Sequence, residues 1–130
     1  DLIDTVKDCL FAYSEMMPEA SCNKDEMYAA AKQGYATATD LADYLVKQGM
    51  AFRDAHEVVG KSVAFSIEEK KDLADLSLAE LQIFSDLIKK DVFEVLTLEG
   101  SISARDHIGG AAPSQVLAAV ATAKAAISKR

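Results

Sequence analysis

The stretch Tyr35–Lys61, YATATDLADYLVKQGMAFRDAHEVVGK, decides the fold class. Apolar residues recur every three or four positions on both sides of Gly49, which predicts two helices joined at that glycine. Thr37 or Thr39 is suited to cap the first helix, because a threonine hydroxyl can accept a hydrogen bond from a free backbone N–H. The predicted inner face of the first helix comprises Leu41, Ala42, Leu45 and Val46. The predicted stripe of the second comprises Phe52, Val59, Val63 and Ile67.

The same helical spacing continues outward in both directions, and no segment shows sustained strand alternation. Residues 1–17 form a predicted amphipathic helix that ends before Pro18. The other predicted helix boundaries are marked by Asn23 with Glu26, Gly34, the capping box Ser77–Glu80, Asp91 and Pro113. Residues 97–112 contain three glycines and no clear period, so they are predicted to form a structured loop. The sequence therefore predicts an all-α fold of six or seven helices.

The last predicted helix begins at Pro113 and is expected to be amphipathic. Its predicted inner face comprises Val116, Leu117, Val120, Ala123 and Ile127. Lys124, Lys129 and Arg130 near its end are explained by the favourable interaction of cations with a helix C-terminus.

Charge and length exclude several classes of protein. The chain has 130 residues and a formal net charge of −7, and 20 of its 21 acidic residues precede position 101. An acidic body does not favour nucleic acid as a partner. No window approaches the roughly 18 consecutive apolar residues that span a bilayer, so no membrane segment is predicted. A soluble, acidic helical protein is expected.

The first helix carries more apolar surface than a helix with one solvated face requires. Leu2, Val6 and Leu10 form one stripe, while Ile3 and Phe11 lie on the other side. Together with the absence of an initiator methionine, this surplus favours a helix that belongs to a larger bundle, in a chain that is part of something longer.

Two cysteines, Cys9 and Cys22, are thirteen residues apart. Neither has a neighbouring histidine or cysteine at metal-ligand spacing, so no metal site is predicted. Two reduced thiols are expected, although the sequence leaves a disulfide open.

Two histidines are the candidate chemical groups. His56 shares a helix face with Phe52 and Val59, which makes it either a general base or ligand, or a partly buried histidine bonded to a neighbouring helix. His107 lies beside Arg105 in the irregular segment SISARDHIGGAAP, where glycines allow a ligand close to the backbone. The alternative for that segment is a tight turn before the last helix, with Arg105 paired locally.

Other patterns carry little chemistry. Asp54 and Glu57 diverge around a helix and make no acid/base dyad. Tyr28 and Tyr35 are interpreted as packing residues rather than acids. Phosphate-binding glycine motifs, HExxH and GxSxG do not occur. The residues alone therefore indicate a helical domain without a catalytic constellation.

Four segments, in order, resemble argininosuccinate lyase, a family of the fumarase/aspartase superfamily, in its carboxy-terminal region. They are DLIDTVKDCL, GYATATDLADYLVKQGMAFRDAHEVVGKSV, DLSLAELQIFSDLIKKDVFEVL and GGAAPSQVLAAV. The resemblance implies cleavage of argininosuccinate to arginine and fumarate by β-elimination, without a cofactor or metal. The family's catalytic serine lies in a loop resembling GSSxMPxKxN. Met17-Pro18 lacks the lysine of that loop, and the catalytic histidine of the family lies upstream, so no catalytic role is assigned to any residue of this chain.

The resemblance also implies an assembly. The family forms cytoplasmic homotetramers around a central helical bundle. Residues 1–18 would then be the tail of a long bundle helix and residues 19–130 the small carboxy-terminal helical domain. The expected role is structural: capping the bundle and helping to close the active-site region. Two alternatives stay open, namely a free-standing helical interaction module and a small complete enzyme that uses His107 with Arg105.

Overall fold

A computed structural model describes residues 1–129 and confirms the all-α fold. Within these residues there are eight α-helices, rather than six or seven, and no strand. They are α1 (Leu2–Met16), α2 (Lys24–Lys32), α3 (Ala38–Lys47), α4 (Phe52–Glu69), α5 (Leu78–Gln82), α6 (Val92–Val95), α7 (Leu98–Ser103) and α8 (Pro113–Ile127). Short 3₁₀ turns occur at Met17–Glu19 and Leu73–Asp75. Arg130, part of the predicted basic end, lies outside the described residues.

The chain forms two compact units, which are described separately: an amino-terminal unit of residues 1–31 and a carboxy-terminal unit that begins at Lys32. The expected domain boundary between residues 18 and 19 stays a prediction.

The amino-terminal unit consists of α1, the following 3₁₀ turn and nearly all of α2. Asp1 caps α1 by accepting a hydrogen bond from the backbone N–H of Ile3 at 3.4 Å. Asn23 accepts one from the N–H of Glu26 at 3.4 Å, as its predicted capping role requires. Every residue of α1 is exposed, and Cys9 and Cys22 are exposed free thiols. This unit therefore has no buried core of its own.

The carboxy-terminal unit is organised by the packing of α3 against α4. Leu41 and Leu45 of α3 are fully buried, as predicted, and Ala42 is 5% exposed. Val46 was wrongly placed on the inner face, since it is 38% exposed. Tyr44 is buried instead, because its ring extends from the edge of the apolar stripe toward the start of α6.

The buried stripe of α4 differs from the predicted one. It comprises Ala55, Val59, Ser62 and Ser66. Val59 was predicted correctly and Val63 is half-buried, but Phe52 and Ile67 are exposed. The buried face of α4 consists mostly of small side chains, and an apolar-residue pattern does not count serine as a core residue.

The rest of the core comes from short elements that follow α4. Their fully or nearly fully buried residues are Leu73, Leu76, Leu81, Ile88, Val92 and Leu96. Each of these elements is too short to be a stable helix alone, so its stability depends on burying these side chains against α3 and α4.

The capping box predicted at Ser77–Glu80 is present. The Ser77 hydroxyl accepts from the N–H of Glu80 at 3.3 Å, and the Glu80 carboxylate accepts from the N–H of Ser77 at 2.6 Å. Lys71 adds an ion pair to the other Glu80 oxygen at 2.7 Å. These contacts, led by the Lys71 bond, lower the pKa of Glu80 to about 2.

The loop predicted over residues 97–112 is wrong in its first half, which forms α7. Thr97 caps this helix by accepting from the N–H of Gly100 at 2.9 Å. A Cβ on Gly100 would collide with the carbonyl oxygen of Glu94. Glycine is therefore present here because α7 crosses the end of α6 closely, whereas sequence reasoning treats a glycine as a sign of a loop.

The last helix, α8, begins at Pro113 as predicted, but no residue of it is buried. Val116, Leu117, Val120 and Ile127, the greater part of its predicted inner face, are 43–72% exposed. The expected amphipathic packing is therefore not formed within this chain. No helix of residues 1–129 is long and apolar enough to cross a membrane.

Replacing Leu45, which is fully buried in the α3–α4 interface, tests this core. Leu45→Ala should lower the free energy of unfolding by roughly 2–5 kcal/mol, because it removes buried apolar contact and leaves a cavity. Urea denaturation followed by circular dichroism measures the change. Ile83→Ala, at a position that is 69% exposed, is the control and should change stability little.

The low pKa of Glu80 predicts a pH-dependent contribution to stability. The contribution is fully present above the ordinary pKa of 4.5 and is lost as the pH falls toward about 2. Glu80→Gln should therefore lower the urea midpoint at pH 7, and its difference from the wild type should shrink steadily below pH 4.5. Glu68→Gln, an exposed carboxylate on α4, controls for the general loss of a negative charge. An equal difference at both ends of this pH range would contradict the assignment.

Candidate functional site

The carboxy-terminal unit contains a partly open cavity of about 250 Å³ between α3 and the segment that follows α7. Its lining residues are Asp40, Asp43, Lys47, Val95, Ala104, Arg105 and His107. Two acids, two bases and a histidine meet in one place, which makes this cavity the candidate site of this unit.

An ion pair between Asp40 and Arg105 lines the cavity. Asp40 is 3% exposed, and its Oδ1 accepts a hydrogen bond from Nη1 of Arg105 at 2.9 Å. The same Nη1 also donates to the carbonyl oxygen of Ser101 and to its hydroxyl, the latter at 3.0 Å. Burying an unpaired carboxylate costs a large amount of free energy, so the pairing with Arg105 makes the buried position of Asp40 possible.

The local sequence around Asp40 would permit a different arrangement. Thr37 precedes α3 and Asp40 is its third residue, which is the spacing of a capping box. The box is not made, since Thr37 gives no side-chain cap, and both Thr37 Oγ1 and Asp40 Oδ2 are buried without a partner within residues 1–129. The Asp40 carboxylate is turned toward Arg105 instead, so a tertiary contact replaces a local one.

The segment that carries Arg105 and His107 is held in a tight turn. Gly109 has a φ of +82°, and the N–H of Gly110 donates to the carbonyl oxygen of His107 at 2.7 Å. A Cβ on Gly110 would collide with the carbonyl oxygen of Arg105. Both glycines are thus required by backbone geometry, which agrees with the tight-turn interpretation of this segment.

Asp106 fastens this turn to the first turn of α8. Its Oδ1 accepts hydrogen bonds from the Gln115 side-chain amide at 3.0 Å and from the Ser114 hydroxyl at 2.8 Å. These two bonds, with that of Gln115 the larger cause, lower the pKa of Asp106. Asp106 Oδ1 therefore holds this turn against α8.

Tyr44 supports the site from the core. Its hydroxyl donates to Asp91 Oδ1 at 2.7 Å and accepts from the N–H of Lys89 at 3.1 Å. Burial, followed by the bond to Asp91, raises the pKa of Tyr44. The tyrosine holds α3 against the start of α6, and its proton is committed to Asp91.

The two histidines singled out by the sequence have different surroundings. His107 lines the cavity with Arg105, as their adjacency suggested. His56 lies on α4 outside the cavity and is exposed, with its ring centroid 6.4 Å from that of Phe52. The expectation of a partly buried, hydrogen-bonded His56 was wrong, because the face it shares with Phe52 is not the face that packs on α3.

Other candidate residues have structural surroundings. Glu57 pairs with Lys61 one turn away at 2.7 Å, and this bond lowers its pKa. Tyr35 packs against the core and its hydroxyl donates to the carbonyl oxygen of Lys71 at 3.3 Å. Its role as a packing residue agrees with the interpretation of the sequence.

Sequence reasoning did not single out Asp43 and Lys47 as site residues. They are four residues apart on α3, a spacing that places both on one helix face and was the only available signal. An acid followed by a lysine at this spacing is common on solvated helix surfaces. Only the fold, which brings residues 104–107 against this face, makes them part of a cavity.

His107 is the histidine of this cavity. Within residues 1–129, His107 has no carboxylate hydrogen-bonded to it, and no cluster of three or more acidic, histidine or cysteine side chains is suited to a metal ion. A general base must lie within hydrogen-bond reach of the proton that it removes. Fold and site together define the class of protein, which is a small all-helical domain with a charged surface cavity.

Comparison with known proteins identifies the family. The family model described as "Argininosuccinate lyase C-terminal" matches residues 35–103, which is more than half of the chain. The chain belongs to this family. The matched range includes α3 to α7, and hence the core and most of the cavity lining.

Curated relatives support the same assignment over a longer range. The chain is 61% identical over 127 residues to an argininosuccinate lyase of Alcanivorax borkumensis, covering 98% of this chain and 27% of that protein. It is 58% identical over 130 residues to that of Saccharophagus degradans, covering 100% of this chain and 28% of that protein. The chain thus spans little more than a quarter of these relatives, and the resemblance seen in the sequence is confirmed.

A solved structure has the same fold. An EDDS lyase variant with bound fumarate superposes with a TM-score of 0.73 and 29% sequence identity. The match covers 82% of this chain and 23% of that chain. The all-helical arrangement is therefore that of a lyase domain.

Substitutions in the Asp40–Arg105 ion pair should change the free energy of unfolding. Arg105→Gln leaves the Asp40 carboxylate buried without its partner and should lower the free energy of unfolding by about 1–3 kcal/mol, since the Arg105 side chain is itself 41% exposed. Asp40→Asn combined with Arg105→Gln should recover part of that loss, because no buried charge remains unpaired. Urea denaturation of the wild type and these two variants measures both effects.

Arg53→Gln is the matched control for this series, because Arg53 is exposed and lies outside the cavity. A loss of stability in Arg105→Gln no larger than in Arg53→Gln would show that the ion pair does not support the fold.

Proposed function

We propose that this chain is the carboxy-terminal helical part of an argininosuccinate lyase, which cleaves argininosuccinate to arginine and fumarate by β-elimination. The observation that carries the proposal is identity of about 60% to curated argininosuccinate lyases over almost the whole chain. Matching only 27–28% of their length, the chain corresponds to one region of a larger enzyme.

In this proposal the chain contributes structure and no catalytic residue. Three findings support that role: His107 lacks a hydrogen-bonded carboxylate, Asp106 is bonded to α8, and the proton of Tyr44 is committed to Asp91. β-Elimination needs a base that removes a proton and a group that stabilises the resulting carbanion. The residues that supply these functions would come from the upstream part of the enzyme.

We further propose that residues 1–18 are the tail of a long helix in a central bundle, and that residues 19–130 are the carboxy-terminal domain. The apolar surface of α1 supports this: Leu2, Leu10 and Phe11 are 65–77% exposed. Exposed apolar side chains on opposite sides of one helix favour contact with further helices. The enzyme would be a cytoplasmic homotetramer, in which this bundle joins the subunits.

A free-standing helical interaction module is the alternative. It would be favoured if the apolar side chains of α1 were covered within the chain, and their exposure argues for the lyase part instead. A small complete enzyme that uses His107 with Arg105 is disfavoured, because His107 has no hydrogen-bonded carboxylate among residues 1–129.

Co-expression tests the proposed role. The upstream part of the Alcanivorax borkumensis enzyme should release no fumarate from argininosuccinate alone, and neither should this chain. Expressed together they should form an active complex, whose turnover is followed by fumarate absorbance. Phe11→Asp on α1 should reduce the recovered activity at least tenfold, because a buried carboxylate disrupts an apolar interface.

Glu15→Gln, an exposed polar substitution on the same helix, is the control and should leave the recovered activity unchanged. Fumarate release by this chain alone would favour the complete-enzyme alternative. An inactive pair, with a chain that stays monomeric, would favour the interaction module.

A further inference from the structure

Only some of the charged side chains that line the cavity between α3 and residues 104–107 form ion pairs. Asp40 and Arg105 bind each other, but Asp43 and Lys47 form no ion pair within the described chain. Arg105 has five N–H donors, and its hydrogen bonds to Asp40 and Ser101 all use Nη1. The Nε and Nη2 donors of Arg105 therefore have no acceptor in residues 1–129.

We propose that this cavity binds a small zwitterion of the α-amino-acid class. The unused edge of Arg105 is a planar pair of donors that matches a carboxylate, and Lys47 adds a second positive charge. Asp43 provides an unpaired carboxylate for an ammonium group. His107 completes the lining with a side chain that can donate or accept a hydrogen bond.

The balance of charge selects a zwitterion over an anion. The two aspartates offset the arginine and the lysine, so a simple carboxylate would gain from Arg105 and be repelled by Asp43. The chain as a whole has a formal charge of −7, which repels anions at a distance and has no such effect on a neutral zwitterion.

The size of the cavity limits the ligand. The cavity has a volume of about 250 Å³ and is partly open to solvent. An amino acid with a short side chain fits, whereas larger ligands would extend out of the cavity. This ligand class follows from the charges of the cavity and is independent of the proposed lyase activity.

Three matched probes test the proposal: L-norvaline, pentanoate, which lacks its amino group, and butylamine, which lacks its carboxylate. Titration of the ¹⁵N-labelled chain, followed by amide chemical shifts, gives a dissociation constant for each. Norvaline should bind saturably and shift the amides of residues 40–47 and 104–107. Pentanoate and butylamine should bind about tenfold more weakly, because each loses one charge-assisted hydrogen bond.

Two variants assign the charged ends. Asp43→Asn should weaken norvaline binding about tenfold, because the carboxylate that attracts the ammonium group is lost. Pentanoate binding should be unchanged or stronger, because the same carboxylate repels the ligand carboxylate. Lys47→Gln should weaken norvaline and pentanoate but not butylamine. Both residues are exposed, so the fold should be retained, and Asp75→Asn controls for the loss of an exposed carboxylate outside the cavity.

Several results would overturn the proposal. An absence of saturable norvaline shifts at residues 104–107 excludes the site. Equal affinity for norvaline and pentanoate indicates a site for anions only. An equal effect of Asp75→Asn and Asp43→Asn shows that net charge, rather than the cavity, determines binding.

Discussion

The close packing of α3 against α4 is the contact on which the rest of the carboxy-terminal unit depends. Leu41 and Leu45 of α3 are fully buried, and Ala55, Ser62 and Ser66 are buried on α4. The elements between Leu73 and Val95 are single turns or a few residues long, and short helices are not stable alone. They form because this helix pair provides an apolar surface on which to bury their leucines and valines.

The Asp40–Arg105 pair extends that packing to the segment that carries the cavity. Asp40 is fixed by α3, and Arg105 is bonded to it from 65 positions further along the chain. Pairing offsets the cost of burying the carboxylate, while Lys47 and Asp43 on the same helix stay exposed. This ion pair thus joins α3 to residues 104–107 and places charged groups at a surface cavity.

The two exposed apolar helices fit a domain that works within a larger enzyme. Neither α1 nor α8 has a buried residue, although both carry several large apolar side chains. For α1 the surplus was readable from the sequence, because apolar residues occupy both of its sides. For α8 it was not, because Val116, Leu117, Val120 and Ile127 have the same spacing as the core face of an ordinary helix. Periodicity shows which face is apolar, and it does not show whether the covering surface belongs to the same chain.

By itself the sequence determined the all-α class and most helix starts, because capping residues and helical spacing act over a few neighbouring positions. It also determined the resemblance to the lyase. Ser77 with Glu80 and Pro113 are examples in which the local rule and the structure agree. Only the tertiary structure decided that serines lie on the buried face of α4 and that Asp43 and Lys47 share a cavity with Arg105. Each of these depends on how closely two distant segments approach, and that distance is set by the packing of the whole unit rather than by any local pattern.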